Sequence, residues 1–221
     1  MKRILTAAAL IMMISAACAF AEDKPVIQTT EYSAVYVERE NGKETETKVY
    51  AAHNMYRQDL KGGDEIVITR YDRKQMYIIY PKLRRYILES YPGEAPVYDP
   101  VPREGKFGDM TREFVGFETE DTYRLRKYLV TINFMGKEEN RYQYHEWYRD
   151  NFPLPVKTKA LKGDSETLYT NIKLRRPDIE FFMKPKRYKK VTQSEIQTLL
   201  EAQKIEEALE KSKTEKTKKK K

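Results

Sequence analysis

The stretch KQMYIIYPKLRRYILES, residues 74–90, reads as two short strands folded back over a turn at Pro81 to Arg84. Successive side chains of a strand point to opposite faces, so a sheet with one wet side alternates apolar with polar residues. Here the alternation fails. Met76, Ile78 and Tyr80 share one face, Tyr77 and Ile79 share the other, and Tyr86, Ile87 and Leu88 repeat the pattern on the second strand. Full burial of such a side chain is worth about 1.5 to 3 kcal/mol, so the hairpin needs apolar cover on both faces.

DEIVITRY (64–71) precedes this hairpin across a turn at Asp72-Arg73. With Tyr71 opposite Lys74, Thr69 faces Met76, Val67 faces Ile78 and Ile68 faces Tyr77. One face then carries Tyr56, Leu60, Val67, Tyr71, Met76, Ile78, Tyr80 and Ile87. The other carries Met55, Ile66, Ile68, Tyr77, Ile79, Tyr86 and Leu88, with Arg57 and Arg70 among them. These last nine form the candidate ligand-binding set, in which the two arginines hold an anionic head group and the apolar side chains take its tail. The frequent pairing of tyrosine with arginine in the sequence has an alternative reading, cross-strand packing with cations over the rings.

Further out, EYSAVYVERE (31–40) is rich in β-formers and Asn41-Gly42 supplies a tight hairpin turn. KVYAAHNMYRQDL (48–60) follows as one strand up to a turn at Gly62-Gly63, giving an antiparallel meander through residue 90. Residues 91–108, with four prolines and three glycines, read as a long crossing loop that cannot continue the ladder. Five more strand signals follow: REFVGFETE, YRLRKYLVTINFMG, RYQYHEWYRD, LPVKTKAL and ETLYTNIKL, with turns at Gly136 to Glu139, Asn151 to Pro153 and Gly163-Asp164. A helix over 192–210 opens with a Thr192/Glu195 capping box and carries a modest stripe of Ile196, Leu199, Leu200 and Leu209. The fold class is mainly β, an antiparallel sheet of ten or eleven strands with one C-terminal helix.

Residues 1–21 read as a secretory signal peptide, because Lys2 and Arg3 precede the apolar run Ile4 to Ile14 and Ala19-Phe20-Ala21 fits the cleavage pattern. Secretion to the periplasm is the reading; lipid anchoring at Cys18 is the alternative, with Ser15 standing where a lipoprotein signal usually has leucine. Without the leader the chain has no cysteine, which excludes disulfides and thiol chemistry. The formal charge of +8 lies at the ends: residues 22–210 sum to zero, and the tail 211–221 holds seven lysines against Glu215. A neutral body argues against a nucleic-acid groove. The tail reads as a solvated, disordered end, with a tether to anionic membrane surfaces as the alternative.

No catalytic or metal motif emerges. His53 and His145 are the only histidines, HEWYR lacks the second histidine of a helical zinc site, and neither a nucleophile elbow nor a phosphate loop is present. The chain therefore reads as a non-enzyme without cofactor or metal. Trp147, the sole tryptophan, reads as a core plug.

The order of hairpins resembles the LolA/LolB-like superfamily, above all its small secreted members. The resemblance covers residues 27–191 and lies in Gly116 within FVGFETEDTYRLRKYLV, Trp147 followed by Pro155 in HEWYRDNFPLPVKTKA, and Phe182, Pro185 and Tyr188 in the closing FFMKPKRY. It implies a half-barrel over 22–191, a curved sheet around an apolar cavity, and binding of a lipid or lipoprotein acyl group in the cell envelope. The carriers of that superfamily place an amphipathic helix before the first strand, whereas EDKPVIQTTEYS enters the sheet after a proline. The second reading is an envelope interaction protein with a filled core that binds a protein partner through a sheet edge or the C-terminal helix. Oligomeric state stays open, since free sheet edges can pair with another chain.

Overall fold

The computed structural model describes residues 31–96, 102–134 and 141–218. The leader with Cys18, the middle of the Pro-rich loop and the turn at 136–139 lie outside these residues. Thirteen strands and a helix follow in the order β1 (Tyr32–Glu40), β2 (Lys43–Ala52), β3 (Met55–Leu60), β4 (Glu65–Arg70), β5 (Gln75–Tyr80), β6 (Arg85–Ser90), β7 (Gly105–Phe107), β8 (Met110–Glu120), β9 (Tyr123–Asn133), β10 (Arg141–Arg149), β11 (Pro155–Ala160), β12 (Glu166–Lys173), β13 (Lys189–Lys190) and α1 (Gln193–Lys218). They form one curved sheet in the order β13-β6-β5-β4-β3-β2-β1-β12-β11-β10-β9-β8-β7. Every pair is antiparallel except β13 with β6.

The strand count exceeds the ten or eleven expected, for local reasons. The single strand expected over 48–60 is a hairpin of β2 and β3, turned at His53-Asn54 with His53 at φ +45°, and neither Gly nor Pro marks the turn. β7 is a three-residue strand within the expected loop, and β13 is two residues long. The expected register of β4 on β5 is observed, Thr69 on Met76, Val67 on Ile78 and Ile68 on Tyr77. Helix α1 opens with the expected reciprocal cap, Thr192 N donating to Glu195 Oε2 at 2.7 Å and Glu195 N to Thr192 Oγ1 at 3.3 Å, and continues to Lys218.

Strands β6 and β7 lie eleven positions apart in the sheet, about 53 Å of strand spacing if it were flat. That is close to the whole reach of the fifteen Cα steps from Ser90 to Gly105, about 50 to 54 Å at full extension. A bent sheet lets the connection close without being fully extended.

Residues paired across strands share a face, which separates two sides. On one side Val191, Ile196 and Leu200 pack on Ile78, Tyr80 and Ile87; this is the helix side. On the other, residues 177–188 lie as a strap over β2 to β6, with Phe182 and Tyr188 packed against Ala52, Met55, Ile68, Tyr77, Ile79 and Tyr86. A third cluster gathers Tyr32, Ala34, Val49, Ala51, Leu125, Trp147, Phe152 and Val156. The two apolar faces of the opening hairpin are thus covered by two parts of one C-terminal segment.

Candidate ligand surface

The nine residues singled out in the sequence do come together. Met55 pairs with Arg70, Arg57 with Ile68, Ile66 with Ile79, Ile68 with Tyr77, Tyr77 with Leu88 and Ile79 with Tyr86, all on the strap side. The patch is filled by the chain itself, since Phe182 at its centre is 0% exposed. Asp178 starts the single turn that delivers this ring, its side chain accepting from Glu180 N at 3.0 Å. Anchors then recur every third residue, Phe182, Pro185, Tyr188 and Val191, each half-buried or buried between exposed neighbours.

Each arginine is held by the carboxylate two residues further along the chain. Arg57 grips Asp59 at 2.6 and 3.2 Å and donates to the Phe181 carbonyl at 2.9 Å. Arg70 grips Asp72 at 2.8 and 2.6 Å beneath Met183. Those hydrogen bonds hold the Asp72 carboxyl below its usual range, burial opposing them. On this side the arginines fasten the strap.

The exposed apolar surface lies elsewhere, on the helix side of β7 to β10. Phe107 pairs with Met110, Met110 with Ile132 and Ile132 with Tyr142; Phe114 pairs with Tyr128, and Tyr128 with Glu146. A bulge at Val115, with Gly116 at φ +147°, shifts the alternation by one. That backbone region favours glycine. The shift puts Phe114 and Phe117 on the same face although they are three residues apart, their rings 5.2 Å from each other. Phe114 and Phe117 are 37% and 51% exposed, Phe107 and Tyr142 41% each.

Beside these rings, on the same face, lies a polar cluster. Arg112 donates to Glu146 Oε2 at 3.0 Å, and the Tyr148 hydroxyl donates to the same oxygen at 3.0 Å. Burial works against the Arg112 charge, and Glu146 more than offsets it, leaving the guanidinium more firmly protonated than usual. Burial, then the Glu146 charge, push the Tyr144 and Tyr148 hydroxyls above the usual tyrosine range. The cluster satisfies its own charges, and the cation that meets the rings is Arg124, whose guanidinium lies 3.7 Å from the Phe117 ring centre.

On the opposite side of the same strands the surface is charged. The Trp147 ring lies between Lys127 and Lys157, 5.0 and 5.3 Å away, and its Nε1 donates to Glu118. Lys127 bonds Glu118 at 2.9 Å and Lys157 meets Glu120 at 3.4 Å. Trp147 is 5% exposed and belongs to the third core cluster. Among the described residues no group of histidine and carboxylate side chains is placed to hold a metal ion, and no helix is long and apolar enough to cross a membrane.

The aromatic surface was not among the sequence candidates. Its signal was the Phe-x-x-Phe spacing around Gly116, which breaks the two-residue period and marks a bulge.

No protein-family model matches the sequence, and no curated protein matches it. Among solved structures, MucB in the Pseudomonas aeruginosa MucA/MucB complex matches at TM-score 0.48 and 14% identity, over 83% of this chain and 62% of that one. A structure of MucB alone matches at 0.41 and 11%, over 83% and 64%. The chain thus spans less than two thirds of the MucB chains. A LolA superfamily protein from Nitrosomonas europaea matches at 0.31 and 12%, over 80% and 97%. At these scores the likeness assigns no role to any residue; the chain is similar to LolA-like proteins in the order of its hairpin motifs and in having one curved antiparallel sheet.

Proposed function

We propose that this chain is a non-catalytic binding protein of the bacterial cell envelope, exported to the periplasm, whose ligand is a lipid or the acyl group of a lipoprotein. The observation that carries the reading is the group of exposed rings, Phe107, Phe114, Phe117 and Tyr142, on the helix side of β7 to β10. Scattered exposed apolar residues are ordinary, but Phe114 and Phe117 meet ring to ring on this face, and an exposed apolar group of that kind marks a binding surface. The ligand belongs there rather than on the nine-residue patch, because Phe182 already fills that patch. A ligand on the strap side has to displace Phe182 first.

The second reading, a protein partner added at the sheet edge, rests on β8. β7 pairs only with Met110 to Arg112, so among the described residues no strand flanks the outer edge of β8 from Glu113 to Glu120. Such an edge accepts an extended peptide. Mass spectrometry of lipids that co-purify with the protein from membranes separates the two: acyl lipid retained through purification, with a higher melting temperature on adding fatty acid, supports the first. A lipid-free protein whose melting temperature ignores acyl ligands supports the second.

A further inference from the structure

We infer that the outer surface of the strap and β13 is a docking face for an anionic lipid bilayer. Between residues 173 and 190 the sequence carries eight Lys and Arg against Asp178 and Glu180. Residues 22–210 sum to zero, so the rest of that body is net negative by six and the positive charge is segregated onto one segment. The three-residue period of the strap explains how that charge is displayed. Phe182, Pro185, Tyr188 and Val191 face inward, which leaves Lys184, Lys186, Arg187, Lys189 and Lys190 exposed.

β13 then lays Lys189 beside Arg85 at the sheet edge, with Lys189 N donating to the Arg84 carbonyl at 3.1 Å. Among the described residues no carboxylate lies within ion-pairing distance of Lys184, Lys186, Arg187 or Lys190; Lys184 sits 5.5 Å from the Tyr86 ring. Glu195 is the nearby acid. Its capping bonds with Thr192 hold it below the usual carboxylate range, helped by the charges of Lys189 and Arg85.

Charge alone describes any polyanion site, and the apolar residues on the same segment narrow it. Ile179, Phe181 and Met183 on the same segment stay 45%, 38% and 47% exposed, although Phe181 stacks on Tyr50 and Met183 lies over Arg70. Cations that meet lipid phosphates beside apolar side chains that enter the acyl boundary are the signature of interfacial binding. This inference does not rest on the acyl-ligand reading, which concerns the other side of the sheet and other residues. It also differs from a tether through the lysine tail, since the strap cations are held on folded structure.

The test is co-sedimentation of the full chain with phosphatidylcholine vesicles, with and without phosphatidylglycerol. Binding is expected only to the anionic vesicles and to weaken with salt. Each lysine near an anionic leaflet is worth about a fivefold change at low salt. Fivefold for each of four cations compounds to about six hundredfold, so the variant Lys184→Gln, Lys186→Gln, Arg187→Gln, Lys190→Gln is expected to bind several hundredfold more weakly. Replacing the seven tail lysines by glutamine should leave most of the binding. Met183→Ser with Ile179→Ser should weaken vesicle binding and spare binding of soluble polyphosphate. Unchanged melting temperatures show that the variants are folded. Equal binding to neutral vesicles, retention by the four-glutamine variant, loss in the tail variant alone, or indifference to Met183→Ser with Ile179→Ser each overturn the inference.

Discussion

The two halves of the sheet start from similar sequence material and end differently. From β2 to β6, strands that are apolar front and back are covered on both sides, by Phe182 and Tyr188 on the strap side and by Val191, Ile196 and Leu200 on the helix side. From β7 to β11, the strap side is a ladder of Lys127, Lys157, Glu118 and Glu120 around Trp147, and the helix side of β7 to β10 keeps its rings exposed. The difference comes from where the C-terminal segment is tied. β13 pairs with β6 at one edge, so the strap and the first turns of α1 lie at that end, while β7 is the opposite edge. Cover is a local resource, and the half it does not reach is the half that offers a surface.

The largest break in that comparison is Phe182→Ala. A fully buried ring lost from a packed site costs about 4 kcal/mol, and urea unfolding should show a loss of that size. A loss below about 1 kcal/mol would mean that the strap is dispensable cover and the nine-residue patch opens easily. A gain in binding of a small apolar probe is the expected companion result, because apolar cavities accept such ligands.

Glu146→Ala tests the other half. Removing one partner of a nearly buried ion pair leaves Arg112 unsatisfied, at a cost of about 3 kcal/mol. Chemical denaturation checks it; a neutral outcome would show that water reaches the polar cluster and that the aromatic surface beside it is looser than the geometry indicates.

The next effect is alkaline and belongs to two half-buried tyrosines, Tyr36 on β1 and Tyr80 on β5. Burial, then Glu38, push the Tyr36 hydroxyl up to about 12, and burial, then Glu65, push Tyr80 to about 12. A raised folded-state value means that the folded chain keeps a proton the unfolded chain gives up. The stabilisation is therefore complete below the unfolded value near 10 and is lost as pH rises toward 12. The expected loss is on the order of 2 kcal/mol, discounted because Tyr80 is partly exposed. Stability measured against pH should fall in that window, and less steeply for Tyr36→Phe with Tyr80→Phe.

The closed half was the legible one. Its two apolar faces, its β4–β5 register and the helix cap all follow from periodicities of two and from turn chemistry, which act over a few residues. The hairpin at His53-Asn54 escaped because a positive φ on histidine has no signature as strong as Asn-Gly. The occupant of the nine-residue patch escaped for a different reason. Phe182 is more than ninety residues from Leu88 in sequence, and which distant ring fills a patch is a property of the whole chain's path. The aromatic surface was hidden by a single bulge, since one extra residue at Val115 reverses the expected facing of everything after it in β8.

The smallest effect on stability, and the sharpest on function, is expected from Phe114→Ser with Phe117→Ser. Both rings are more than a third exposed, so little apolar area leaves the core, and stability should change by no more than about 1 kcal/mol. The same rings supply contact area to a ligand, and losing two of them should weaken binding of a fluorescent fatty acid by about tenfold, or about 1.4 kcal/mol. Trp147 lies on the opposite side of these strands, so its emission should stay unchanged in the double variant. If binding survives while Phe182→Ala alters it, the ligand enters on the strap side. The comparison between the halves then inverts, with the covered half as the site and its cover as the gate.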